Sequence, residues 1–213
     1  MKLNLSVDQV LTTTRAVRKR LDVEKPVPRA VLEECLELAL PAPNGSNRNE
    51  WRWIIIDDRA MIARLAHEYK AAMGILWDGQ RAGQPSVTAG VPREDKLLDS
   101  AYALAEKMEK VPAMLIPLMH GRPEGKSAGE QAVLWGSIVQ AVWSFFLALR
   151  EHGLGSAWTT VALRREKEVA ELLGIPFDSY TQVGLFPIAY TVGTDFKKAW
   201  RKPLSEVLSY NRF

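Results

Sequence analysis

A chain of 213 residues, 47% apolar and 25% charged, has the composition of a globular protein and the length to bury a sizeable core. Its formal net charge of +3 comes from Lys and Arg scattered along the chain, a poor footprint for a nucleic-acid partner. One cysteine, Cys35, excludes an intrachain disulfide and a thiolate metal cage, and it falls in an apolar helical run as a packed thiol.

In chain order, MKLNLSVDQV lacks the apolar segment of a signal peptide, and no apolar run approaches a membrane span, so a cytoplasmic protein with no membrane contact is expected. Ser6 with Gln9 is a capping-box pattern that predicts a helix from Val7 toward TTTRAVRKR. Pro28 suits a first helical turn, and Val31, Leu32, Cys35, Leu36, Ala39 and Leu40 recur at helical spacing. That helix stops at APNGSNRNEW, residues 42 to 51, and WRWIIIDD then reads as a buried strand. Asp58 can cap a third helix through about Trp77. Residues 78–94, DGQRAGQPSVTAGVPRE, read as a lid or as a plain excursion.

A helix is predicted over Asp95 to Lys110, followed by a short strand, AMLIPLM. Ser127 with Glu130 repeats the capping box and opens the longest helix, to about His152, apolar nearly all round and buried against a core or a partner. Gly153 ends it, and GLGSAWTT turns into a strand. LRREKEVAELLG is an amphipathic helix closed by Gly174, and YTQVGLFPIAY is a further strand. His67, His120 and His152 make no metal motif, and neither GxGxxG nor a P-loop occurs. The fold class that fits is α+β, one sheet wrapped by helices in a single domain over 1–213.

Four constellations could carry chemistry. Arg15, Arg18, Lys19 and Arg20 are either a cationic helix end or a phosphate site, since guanidinium forks match phosphate oxygens. Asn44, Ser46 and Asn47 put amide and hydroxyl groups at the mouth of a core strand, as a plain turn or as a lining for a flat, polar-edged ring. Gly155 and Ser156 permit a close-approaching backbone ahead of Thr159 and Thr160, and Arg201 with Lys202 forms a basic patch near the end.

The order of these segments, TTRAVRKRL, APNGSNRNEW before WRWIII, GLGSAWTT after a long apolar helix, LLGIP and RKPLSEV, resembles the nitroreductase family over nearly the whole chain. The resemblance implies a mostly antiparallel sheet wrapped by helices, an intertwined homodimer, FMN at the dimer interface, and NADH or NADPH as reductant. It aligns T-R-A-V-R with the family's R-R-S-V-R, so Arg15, Ala16 and Arg18 become FMN candidates while Thr14 stands where the first arginine would be. Arg201 matches a late basic residue on the same phosphate.

The second motif resembles A-P-S-G-x-N-x-Q-P-W, which makes Pro43, Asn44, Gly45 and Asn47 cofactor candidates, with Asn44, Asn49 and Glu50 as departures. GLGSAWTT implies that Trp158, Thr159 and Thr160 lie at the flavin's reactive edge, with a backbone N–H of Thr159 or Thr160 near N5. Lys107 matches a basic flavin-contacting position in some members. No acid–base residue and no metal is implied: hydride passes through flavin N5 in ping-pong turnover to a small aromatic acceptor, a nitroarene or quinone. Reductive dehalogenation, flavin fragmentation and flavin storage without turnover are the other readings. Leu134, Ile138, Val142 and Phe145 are the expected dimer stripe, and 194–213 the partner-embracing tail.

Overall fold

The computed structural model describes residues 2–81, 90 and 94–213. The capping box at Ser6 is complete: its hydroxyl accepts the Gln9 N–H at 3.2 Å and the Gln9 carboxamide accepts the Ser6 N–H at 2.8 Å, opening α1 (Val7–Thr13). A two-residue strand that periodicity cannot reveal, β1 (Leu21–Asp22), follows, and then α2 (Arg29–Ala39). β2 (Trp51–Ile56) leads to Asp58, whose carboxylate accepts the Met61 N–H at 2.8 Å at the start of α3 (Arg59–Arg81). α3 runs past Trp77, and α4 (Glu94–Lys107) opens at the far end of the expected lid. The bulk of that lid, 82–89 and 91–93, lies outside the described residues.

β3 (Ala113–His120) is the sheet's spine. β2 pairs along one edge, and β5 (Tyr180–Gln182) and β6 (Phe186–Thr191) along the other. β6 also carries β1 and β4 (Leu154–Ser156), and every pairing is antiparallel. Alternation along β3 splits the core into two layers. Met114, Ile116 and Leu118 face α3, α4 and α6 (Glu166–Leu173), whereas Ala113, Leu115 and Met119 face α2 and α5 (Ala128–Glu151). The expected continuous strand YTQVGLFPIAY is broken at Gly184, where φ is +152° and a Cβ would stand 2.8 Å from the Trp158 indole nitrogen.

Two expectations about α5 need correcting. Leu134, Ile138, Val142 and Phe145 are at most 4% exposed and belong to the chain's own core, so they are not available to a partner; the exposed apolar side chains are Val133 and Trp143. The helix is also long and apolar enough to cross a bilayer by length and composition, contrary to the reading of the sequence, but half of its most apolar window is buried inside the fold. Helix packing on the sheet accounts for that apolarity.

Candidate functional site

The basic turn after α1 is held by its backbone. The Val17 N–H donates to the Ser156 carbonyl at 2.8 Å, and Gly155 comes so close that a Cβ there would sit 2.8 Å from the Val17 Cβ. Two of the four cations are spent on structure. Lys19 pairs with Asp99, and Arg20 donates to the Val192 carbonyl and the Asp195 carboxylate, each at 2.8 Å. The guanidiniums of Arg15 and Arg18 form no hydrogen bond or ion pair among the described residues. Arg15 is exposed with Ala16, and Arg18 is half-buried, which pulls its pKa below the ordinary guanidinium value. Lys107 does reach this turn, where its ammonium holds the Lys19 carbonyl at 2.8 Å.

The asparagine turn is satisfied from within. Ser46, Asn47 and Asn49 all sit at positive φ, +53°, +52° and +55°, a region that asparagine tolerates better than most residues. Asn44 Oδ1 accepts the Asn49 N–H at 2.9 Å, the Asn44 amide donates to Asn49 Oδ1 at 3.2 Å, and Asn49 Nδ2 donates to the Asn47 carbonyl at 2.8 Å. Two of the three departures from the family motif, Asn44 and Asn49, are therefore partners of each other. Gly45 gives its N–H to Ser137 Oγ at 2.9 Å and lies where a Cβ would meet Val133 Cγ1 at 2.7 Å, so its missing side chain serves docking onto α5. Pro43 is exposed, and so is Asn47, whose amide N–H groups make no hydrogen bond among the described residues.

The segment after β4 is an aromatic corner. The Trp158 indole donates to the Val183 carbonyl at 2.8 Å and its ring lies 5.7 Å from Phe186, which leaves the indole partly exposed. Thr159 bridges Leu185: its N–H donates to the Leu185 carbonyl at 3.2 Å, and its hydroxyl donates to the same oxygen. That N–H is not available to a ring, which corrects half of the Thr159-or-Thr160 alternative. Thr160 is exposed, and its N–H makes no hydrogen bond among the described residues.

The basic turn, Lys107 and residues 154–156 are thus assembled in one place, whereas Trp158 and Thr159 pack on Val183, Leu185 and Phe186, and two further expected pieces stand apart. Arg201 stands in an exposed tail and donates to the Trp200 carbonyl at 2.7 Å. The asparagine turn docks on α5 at Ser137, whereas the end of α1, immediately before the basic turn, meets α5 at Arg150, whose Nε donates to Thr13 Oγ1 at 3.0 Å. At the rise of an α-helix those contacts are roughly 20 Å apart. Arg150 escaped notice in the sequence because a cation in the last turn of a helix has a sufficient local explanation in the helix dipole.

Two free guanidiniums beside a close-packed glycine backbone, with no carboxylate paired to either, suit a small anionic group carried on a planar one. The family model for the nitroreductase family matches residues 11–190. The YfhC protein of Bacillus subtilis (strain 168), itself a proposed NAD(P)H nitroreductase, is 24% identical over 166 residues, 78% of this chain and 75% of its own length. Among solved structures, the FMN and NADPH-dependent nitroreductase NfnB of Sphigopyxis sp. strain HMH superposes with a TM-score of 0.70 at 22% identity, covering 98% of this chain and all of its own. An iodotyrosine deiodinase bound to FMN and 3-iodo-L-tyrosine superposes with a TM-score of 0.71 at 19% identity, over the same shares. At these identities the structural likeness speaks for the fold.

Proposed function

Because this chain belongs to the nitroreductase family, we propose that it is an FMN-dependent NAD(P)H oxidoreductase whose Arg15 and Arg18 hold the cofactor. The observation that supports the reading is that those two guanidiniums have no partner among the described residues in a turn packed on residues 154–156, while the neighbouring Lys19 and Arg20 are neutralised. When bound, FMN supplies hydride acceptance from NADH or NADPH and hydride delivery to a second molecule in the same place.

The chain's own groups bind and orient. Arg15, the more exposed, would hold the phosphate, and Arg18, partly desolvated, would stabilise negative charge on the ring, its field strengthened by the low local dielectric. The Thr160 N–H would be free to orient the ring's reactive edge, and the partly exposed Trp158 indole would wall the acceptor side and exclude water. These groups favour a flat aromatic acceptor such as a nitroarene or quinone. A halogenated phenol is the second reading, favoured by the fold shared with the deiodinase.

The partner is a second copy of this chain. Val133 and Trp143 expose 59% and 44% of their surfaces on α5, and the tail presents Trp200, Leu204, Val207 and Tyr210, each above 60%. Apolar side chains so exposed need a cover. Packing α5 antiparallel to its twin would bring the asparagine turn of one protomer toward the basic turn of the other, closing the separation along one α5. Trp143→Glu is expected to give a monomer by sedimentation that retains little flavin.

The decisive test is optical. The purified protein is expected to be yellow, or to turn yellow with added FMN, and anaerobic NADH or NADPH should bleach it. A protein that takes up no FMN overturns the reading, and a yellow protein that neither reductant bleaches points to storage. A panel of nitroarenes, quinones and halophenols against the reduced enzyme then assigns the acceptor class.

A further inference from the structure

Arg150 is only 6% exposed, and among the described residues no carboxylate contacts its guanidinium. Its Nε goes to Thr13 Oγ1 at 3.0 Å, its Nη2 to the Thr194 carbonyl at 2.9 Å, and the Phe196 ring lies 5.1 Å from its Cζ. The adjacent Glu151 faces elsewhere, accepting the N–H groups of Asn4 and Leu5 at 2.7 and 3.0 Å. Among the described residues Nη1 is buried without a partner, and so is the hydroxyl of Ser156, which is 1% exposed. Both residues line one small cavity together with Thr13, Thr14 and Arg15.

Orphaned buried donors are uncommon, and two of them at one void ask for an acceptor. A guanidinium keeps its charge when buried, so an acceptor carrying negative charge is favoured over a neutral one. Two cations and no carboxylate line the cavity. Its volume, ≈ 10 Å³, admits one oxygen-sized atom and not a whole oxyanion. The cavity abuts Thr14, the position at which a threonine replaces the first arginine of the family's phosphate motif.

We propose that Arg150 and Ser156 receive one terminal oxygen of a phosphomonoester, that of FMN, so that a cation from the end of α5 takes over the place vacated at Thr14. The remaining phosphate oxygens stay outside the cavity with Arg15. The inference rests on the flavin reading above and adds a residue that the basic turn does not contain. It also supplies a second cation at the phosphate without Arg201, which stands in the exposed tail.

The test compares FMN with riboflavin, which shares the ring and lacks the phosphate, by flavin fluorescence quenching on the apoprotein. Arg150→Gln should lose about 10- to 100-fold of FMN affinity, as for a charged hydrogen bond. Riboflavin affinity should stay within about twofold. Arg150→Lys should recover part of the loss. Ser156→Ala, which leaves the contacts of Arg150 with Thr13, Thr194 and Phe196 in place, should lose a few-fold for FMN alone. Inorganic phosphate should compete with FMN in the wild type and much less in Arg150→Gln.

Equal losses for FMN and riboflavin in both variants would mean that Arg150 only braces Thr13 and Thr194, and the proposal falls. An unchanged ratio of the two affinities overturns it as well. If the wild type binds neither flavin, the flavin reading fails first and takes this one with it. Strong wild-type FMN binding with no preference over riboflavin sinks the phosphate assignment alone.

Discussion

The turn at 14–18 and the turn at 44–49 are both polar, both follow a helix and both belong to the family motifs, yet they are finished to different degrees. In the asparagine turn the side chains close on one another: Asn44 and Asn49 exchange hydrogen bonds, and Gly45 is tied to Ser137. In the basic turn the backbone is tied down through Val17, but the guanidiniums of Arg15 and Arg18 have no protein partner among the described residues. A turn that satisfies itself contributes shape to the folded chain. A turn held by its backbone with charges left open is preorganised for a ligand it does not yet contain.

The sharpest way to break the contrast is to remove the backbone hold on the basic turn. Gly155→Ala places a Cβ 2.8 Å from both Val17 Cβ and Thr191 Cγ2, where β4 and β6 leave little freedom to yield. A loss of about 3 kcal/mol in unfolding free energy is expected by denaturant titration, with flavin binding lost alongside. Retained stability would mean that the turn is not clamped between β4 and β6.

Charge removal should do the reverse. Arg18→Met is expected to leave the apoprotein's denaturation midpoint unchanged or slightly raised, because a partly buried, unpaired cation is replaced by an apolar chain of similar length. FMN affinity should fall by about 2 kcal/mol. A clear drop in apoprotein stability would show that Arg18 has a structural partner after all and would erase the difference between the two turns.

In the asparagine turn, stability is the readout. Asn49→Ala forfeits the amide bonds and forces alanine to a φ of +55°, for an expected cost of about 1.5 kcal/mol. Asn49→Gly should cost less, since only the hydrogen bonds are lost. Combined with Asn44→Ala, the losses should fall short of additive, as for groups that bond each other. The smallest expected effect is Ser46→Gly, a gain of about 0.5 kcal/mol from relieving a φ of +53°.

Much of the frame could be read from the chain alone because its signals act over three or four residues. Ser6 with Gln9, Asp58 ahead of Met61, and Ser127 with Glu130 placed helix starts that the structure reproduces. Gly174 closes α6 at a φ of +66° as its position implied. The misreadings have a common cause. β1 is too short for a period, and the break at Gly184 depends on the Trp158 indole that crosses it. The stripe of Leu134, Ile138, Val142 and Phe145 shows that one face of α5 is apolar, but nothing local says whether a sheet or another subunit covers it.

The candidate site divides along the same line. The amino-acid sequence by itself determined which segments carry cations, amides and close-approach glycines, because motif order survives without knowledge of contacts. Only the tertiary structure decided which of those groups remain open to a ligand. Lys19 is removed by Asp99, 80 residues away, and Arg20 by Asp195, 175 residues away. Arg150 is brought to Thr13 across 137 residues with one nitrogen left unpaired. Side-chain charge is a property of the residue, whereas its neutralisation depends on what folding sets within about 4 Å of it.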